Sequence, residues 1–258
     1  MTVSRPINVS LAAFPGQSLD ASLAKATLAA ASGHESIKPL SAQDVQICPQ
    51  VSTRMTEELA HSLRSQFPDL RWRLHANVWV RERRVIRDLA DWNADRQYFV
   101  ELATISQALH AAAYTAHAGL RCRSSLSEAM NATRAAADLF QCRVGIEGHY
   151  PTNGDQFLLS SWGEYALLLS ARVDYAIDLS HLHIVATASG KQERGLVSEL
   201  LASEHCIEVH LSGNDGTRDQ HVAIDGGEWW LELVNAAHQD ATLFTEEIRE
   251  RQVLRRLS

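Results

Sequence analysis

Apolar positions in this chain follow two periods, short runs of period two and longer stretches of helical period, and the pair recurs about every thirty residues. Ile7–Phe14 reads as a first strand closed by Pro15-Gly16, and Ala21–Ala31 as an Ala/Leu-rich helix ending near Gly33. Val45–Cys48 is the second strand, stopped by Pro49. Thr53–Phe67 is a helix with Leu59, Leu63 and Phe67 on one face, broken by Pro68-Asp69. Arg71–Val78 gives a third strand, Asp95–Leu109 a helix and Ala111–His117 a fourth strand. Ser125-x-x-Glu128 and Ser161-x-x-Glu164 have capping-box spacing and open helices reaching Phe140 and Ala171. Arg143–Glu147 lies between them as the fifth strand. Val173–Asp178, His205–His210 and Ala241–Thr245 complete the strands, with helices at Leu196–Ala202, Trp229–Ala237 and Ile248–Leu257.

Eight strands alternating with helices predict an α/β fold, a single (β/α)8 TIM barrel over residues 1–258. An open doubly wound sheet would carry a Gly-rich phosphate turn after its first strand, and Phe14-Pro15-Gly16-Gln17 is not one. Apolar content of 45% supplies a large core. The formal net charge of −7 argues against a nucleic-acid partner, which needs a basic face. The basic clusters Arg81–Arg84 and Arg249–Arg256 are expected on solvated helix faces. Cys48, Cys122, Cys142 and Cys206 form no CxxC pair and read as reduced thiols. With no signal-like start and no run of membrane-spanning length, a cytoplasmic location and no membrane partner are expected.

The polar residues change the picture. In a (β/α)8 barrel the reactive end is the rim where the strands finish. On the strand assignments above, that rim carries His75, His117, Glu147, Asp178 with His181, His210 with Asp219 and His221, and Glu246. The segment His205–His221 is the densest part, a strand running into Ser212-Gly213-Asn214-Asp215-Gly216 and returning Asp219-x-His221. Imidazoles and carboxylates together suit Zn, Mn, Fe and Co. Any one of them is explained as a hydrogen-bonded core histidine or a surface charge. Six strand ends in a row are not, because buried ionisable groups cost several kcal/mol unless paired or coordinated. Glu247 competes with Glu246, and strand parity alone leaves the choice open. Glu208 shares parity with His210 and is expected to make a buried structural hydrogen bond. His149 and Tyr150 follow Glu147 and are placed to line the pocket; Trp79, Trp162, Trp229 and Trp230 are candidates for an apolar wall or for ordinary helix packing.

These residues resemble the xylose-isomerase-like TIM-barrel superfamily, which includes sugar phosphate isomerases/epimerases, endonuclease IV and multinuclear non-haem iron enzymes. The likeness rests on Glu208–His221, Asp178-Leu-Ser-His181, Glu147, His117-Ala-Gly119 and Glu246, over the third to eighth strands. It implies, for the isomerase/epimerase branch, one divalent ion held by Glu147, Asp178, His210 and Glu246, with Glu147 and Glu246 as proton-transfer groups and His181 contacting substrate. That branch implies a small polyol substrate, and His149 is a further substrate-binding candidate. For endonuclease IV all nine positions (His75, His117, Glu147, Asp178, His181, His210, Asp219, His221 and Glu246) would hold three zinc ions. The iron enzymes use a closely similar set on peptide substrates, and Glu208-x-His210-Leu-Ser-Gly213 is similar to that branch. The cofactor implied is therefore one to three ions of Mn, Co, Mg, Zn or Fe. Barrels of this kind are often dimers or tetramers, so a homo-oligomer is an expectation of the same origin; a non-catalytic ligand-binding barrel is the remaining alternative. The chain departs from endonuclease IV's Asn-Thr-Ala-Gly stretch with Gly148-His149-Tyr150-Pro151, and from the iron enzymes' Asn after the fifth-strand Glu with Gly148.

Overall fold

A computed structural model describes residues 5–34, 36–37 and 39–249. Among them are nine strands: β1 (Ile7–Val9), β2 (Leu40–Ser41), β3 (Asp44–Ile47), β4 (Arg71–His75), β5 (Ala113–His117), β6 (Arg143–Glu147), β7 (Tyr175–Asp178), β8 (Cys206–Leu211) and β9 (Thr242–Thr245). All pair in parallel, in the order β2-β1-β9-β8-β7-β6-β5-β4-β3. The sheet curls into a nearly closed barrel, the TIM-barrel architecture its alternating pattern predicts. Seven α-helices lie between strands: α1 (Leu19–Ser32), α2 (Glu57–Gln66), α3 (Arg96–Leu109), α4 (Leu126–Phe140), α5 (Trp162–Ala171), α6 (Leu179–Ser189) and α7 (Arg194–Ala202). No helix among the described residues is long and apolar enough to cross a membrane.

The barrel closes in an unusual way. The expected second strand, Val45–Cys48, is observed as β3 beside β4, and an unpredicted short strand, β2, lies beside β1, the two separated by Ala42 and Gln43. Side chains bridge the seam between β1 and β3. The Asn8 carbonyl accepts from the Asp44 backbone N–H at 3.0 Å, its amide donates to Asp44 Oδ2 at 3.3 Å, and Ser10 Oγ donates to Gln46 Oε1 at 2.6 Å.

Register then fixes which residues face inward, because paired residues of parallel neighbours share a face. Gln46 is level with Arg73, His75 with Thr115, His117 with Glu147, Asp178 with His210, and His210 with Phe244. Ile177, Val209 and Leu243 point the other way, into the fully buried layer beneath the helices. The apolar core is thus the shell between sheet and helices, and the barrel's interior is polar.

Several expectations are revised. β1 stops at Val9, because the Ser10 side chain accepts from Ala12 N–H and turns Leu11–Ala13 into a 3-10 helix. Leu231–Ala236 is a 3-10 helix where an α-helix was predicted. α6 was not predicted at all; Asp178 caps it and Gly190, at φ +68°, ends it. The Ser125–Glu128 capping box is present, whereas Ser161 donates to Glu164 and caps no backbone N–H. Arg81–Arg84 lies in an irregular loop, not on a helix: Arg81 is held by Asp95 and Glu101, and Arg84 lies over the Trp79 ring. The predicted last helix begins on irregular Ile248 and Arg249, and its remainder, with most of the basic cluster there, lies outside the described residues.

Candidate metal centre

Glu147, at the last position of β6, is the hub of the barrel mouth and is 1% exposed. Four imidazoles surround it. His210 Nδ1 lies 3.4 Å from Oε1, His117 Nε2 3.7 Å and His181 Nδ1 3.9 Å from the same oxygen, and His75 Nδ1 is 3.5 Å from Oε2. Burial pushes the Glu147 carboxyl up, but His210, His75 and His117 outweigh it and hold it well below the usual carboxylate range.

The other ligand candidates arrive by distinct local devices. Asp178 ends β7 and caps α6, its Oδ1 accepting from the N–H groups of Ser180 at 2.7 Å and His181 at 3.1 Å. Oδ2 stays on the site side, 3.7 Å from His181 Nε2, one helical turn away. Asp219 and His221 come from the loop after β8, pinned by mutual backbone hydrogen bonds of Gly213 and Val222. Asp219 Oδ2 lies 2.9 Å from His221 Nε2 and 3.4 Å from His181 Nε2. Against the opposing effect of burial, Asp178 and Asp219 raise His181 to about 10, and Asp219 and Glu246 raise His221 to about 9.

The competition after β9 is resolved by the contacts the two side chains make. Glu246 faces inward, with Ser10 Oγ 3.4 Å from Oε1 and His221 Nδ1 3.7 Å from Oε2. Glu247 faces away: its Oε1 accepts from Ile224 N–H at 2.6 Å and its Oε2 is 3.0 Å from His34 Nε2. Burial raises the Glu246 carboxyl above its ordinary value.

Three triads place one donor atom per residue within 4.8 Å of one another: His75–Glu147–His210, Glu147–Asp178–His181 and Asp178–His210–Glu246. His117, Asp219 and His221 join this assembly through the contacts given above. His149 does not. It is stacked between His117 and Phe157 at 4.4 and 4.1 Å, and burial drives its imidazole down to about 2. Tyr150 reaches the site, its ring 4.9 Å from that of His181. Three of the tryptophans are engaged elsewhere: Trp230 is buried in the core, and Trp162 and Trp229 donate to Ser189 Oγ and His183 Nδ1; the Trp79 ring lies under Arg84.

Donor chemistry and burial fit bound cations. Glu147 Oε2, His210 Nδ1 and Asp219 Oδ1 are buried and have no hydrogen-bond partner. Orphaned polar atoms of this kind cost about 1–3 kcal/mol each, and divalent ions would satisfy all three.

Residues beyond the sequence-derived set support the ligands. Asp88 caps the 3-10 helix Leu89–Asp91 and lies 3.8 Å behind His117 Nδ1, its carboxyl raised by burial. Beneath the site, Glu208 accepts from Arg73 Nε at 2.6 Å, Gln46 Nε2 at 2.7 Å, Thr115 Oγ at 2.8 Å and His210 Nε2 at 2.9 Å. This is the buried structural role expected of Glu208. Asp88 carried no signal in sequence, whereas inward parity marks Gln46 and Thr115 as polar interior positions.

No protein-family model and no curated protein matches this sequence. Solved structures do match. A D-tagatose 3-epimerase-like protein superposes with a TM-score of 0.63 at 14% identity, covering 98% of this chain and 96% of that one. The IolI protein, solved with a zinc atom, gives 0.61 at 12% identity over 95% and 90%. Endonuclease IV from Thermus thermophilus gives 0.53 at 15% identity over 98% and 97%. The structural neighbours are xylose-isomerase-like TIM barrels, and at these identities the likeness is one of fold.

Proposed function

We propose that this chain is a metal-dependent enzyme whose barrel mouth takes more than one divalent ion and acts on a small or peptide substrate. One observation carries the reading: three ligand triads overlap, sharing Glu147, Asp178 and His210. Ions bound there would supply Lewis acidity and, if they are iron, redox chemistry. Glu147, ringed by imidazoles and held well below the carboxylate range, suits a shared ligand better than a proton carrier. Glu246, its carboxyl raised above the ordinary value by burial, is the carboxyl better suited to carry a proton. Arg121 and Arg123, near the mouth, are paired with Glu164 and Asp91. That pairing, with the acidic net charge, counts against hydrolysis of a polyanionic phosphoester, and iron in the site would make the reading oxidative modification of a peptide or small molecule.

A second reading is a sugar isomerase or epimerase with one ion on Glu147, Asp178, His210 and Glu246, moving a proton at carbon beside a polarised carbonyl. Its support is the completeness of the Asp178–His210–Glu246 triad and the epimerase-like proteins among the structures of the same fold. Elemental analysis of protein purified without added metal or chelator separates the two. Two or three Fe per chain supports the oxidative reading, and two or three Zn redirects it to phosphoesters. One Mn, Co, Mg or Zn favours epimerisation. No metal, even after reconstitution, overturns both and leaves a ligand-binding barrel.

A further inference from the structure

Two imidazoles of the site rest on one carboxylate oxygen. Glu208 Oε1 takes His210 Nε2 directly at 2.9 Å, and takes His75 through Thr115, whose Oγ is 2.8 Å from Glu208 Oε1 and 2.9 Å from His75 Nδ1. All of these groups are buried, and Glu208 is 0% exposed.

Hydrogen-bond bookkeeping along this chain is restrictive. Glu208 Oε2 is taken by Arg73 Nε at 2.6 Å, and Arg73 also donates to the Ile207 carbonyl, so the carboxylate is clamped as an acceptor. The Thr115 hydroxyl has one hydrogen. If it goes to Glu208, Thr115 can only accept from His75, which must carry its proton on Nδ1. His210 faces the same acceptor with Nε2, which carries the proton there when the Gln46 amide hydrogens are directed to Glu208. The Gln46 carbonyl is committed to Ser10 Oγ, so its amide nitrogen reaches Glu208 Oε1 as another donor, at 2.7 Å, and lies 2.9 Å from His210 Nε2.

We infer that Glu208 is a positioning residue that sets opposite tautomers in two site histidines, leaving Nε2 of His75 and Nδ1 of His210 as the electron-pair donors. The inference rests on the metal-site reading above, and concerns which nitrogen of each ring faces an ion. A carboxylate behind a ligating histidine orients the ring and raises its basicity; here one carboxylate serves two rings with opposite outcomes. His210 Nδ1 is the ring nitrogen that faces the site, 3.4 Å from Glu147 Oε1, while Nε2 faces Glu208.

The test is long-range proton–nitrogen NMR of protein labelled with 15N-histidine, recorded metal-free and after titration with zinc alone, for the wild type, Thr115→Val and Glu208→Gln. The expected wild-type zinc spectrum shows His75 protonated at Nδ1 and His210 protonated at Nε2. Thr115→Val removes the relay to His75 and keeps the direct contact, so the His75 pattern changes while that of His210 is retained. Glu208→Gln changes both patterns and weakens zinc binding by about 10- to 100-fold. If Glu208→Gln does not fold, the Thr115→Val and wild-type spectra decide. A wild-type His210 with its proton on Nδ1, as would follow if Gln46 donated to Nε2, overturns the assignment; so does a His75 pattern unmoved by Thr115→Val. Absence of zinc binding would sink the metal-site reading instead, and the metal-free His75 spectrum would still judge the Thr115 relay.

Discussion

Glu147 Oε1 stands 3.4 Å from His210 Nδ1, two strands away across the barrel mouth, and that nitrogen has no hydrogen-bond partner. Such an arrangement is held by the surrounding barrel rather than by the pair itself. Glu147→Ala and His210→Ala are therefore expected to keep the barrel's far-ultraviolet circular dichroism while metal affinity falls by more than about a hundredfold, a larger loss than removal of an outer-shell partner causes. Metal content after dialysis checks this, and full occupancy in both variants would refute the site.

Loading the site should release protons. In the ion-free protein His181, raised to about 10, and His221, raised to about 9, hold protons at neutral pH. An ion that takes their nitrogens must displace them, so apparent affinity rises with pH by roughly a factor of ten per unit for each proton released. Calorimetry in two buffers of different ionisation enthalpy measures the release. An affinity flat from pH 6 to 8 would exclude these histidines as ligands.

The same shift has a sign for stability. The His221 imidazolium, raised from 6.5 to about 9 chiefly by Asp219, stabilises the ion-free fold fully below 6.5, and the gain is lost as pH rises through about 9. Ion-free protein should therefore lose melting temperature between pH 7 and 9.5, and substituting Asp219→Asn should flatten that slope.

Arg73 and Glu208 form an ion pair inside the barrel, with side chains 7% and 0% exposed. Arg73→Met leaves a buried carboxylate without its counter-charge, a loss of about 3–5 kcal/mol. At roughly 2–4 °C per kcal/mol for a chain of this size, the melting temperature is expected to drop by about 10 °C. A drop under about 2 °C in differential scanning calorimetry would show that the pair contributes little.

Gly148 has no room for a side chain: a Cβ there would lie 2.1 Å from Tyr165 Oη. Its carbonyl is 2.9 Å from His181 Nδ1, and Tyr165 Oη donates to the next carbonyl, that of His149, at 3.1 Å. Gly148→Ala should cost about 1–3 kcal/mol by overpacking and weaken metal binding through His181. The companion Gly148→Ala/Tyr165→Phe removes the oxygen but leaves ring carbons 2.5 and 2.8 Å from the new Cβ, so little recovery is expected in thermal melts and metal competition.

Much of the barrel was legible because period-two and helical runs stay separate in this chain, and β6 falls on its predicted bounds, Arg143–Glu147. The strand-end placement of the candidate residues was legible for a related reason: a strand's last inward position is defined by parity, and His117, Glu147 and Asp178 each end a strand. What parity could not convey is long-range registration. Whether Glu246 or Glu247 faces inward depended on Glu247 finding the Ile224 amide, a contact with another loop. α6 was hidden because its β-branched and histidine-rich stretch lacks a helical polar face, being buried over much of its length. Asp88 was hidden because its role depends on a loop folding back over β5. Gly148, where the iron enzymes carry Asn, is explained by Tyr165 occupying the space a side chain would need.

The two-residue gap between β2 and β3 gives the cylinder the form of a split ring. Around most of its circumference, backbone ladders join neighbouring strands; at the split, Asn8, Asp44, Ser10 and Gln46 bridge β1 and β3 through side chains and the Asp44 N–H, with backbone bonds Gly16–Gln50 and Ser52–Gln17 in the loops beyond. Gln46 is one hydrogen bond from Glu208 and Ser10 is 3.4 Å from Glu246. The seam and the mouth therefore share side chains: the Gln46 and Ser10 that bridge β1 and β3 are the same ones that touch Glu208 and Glu246.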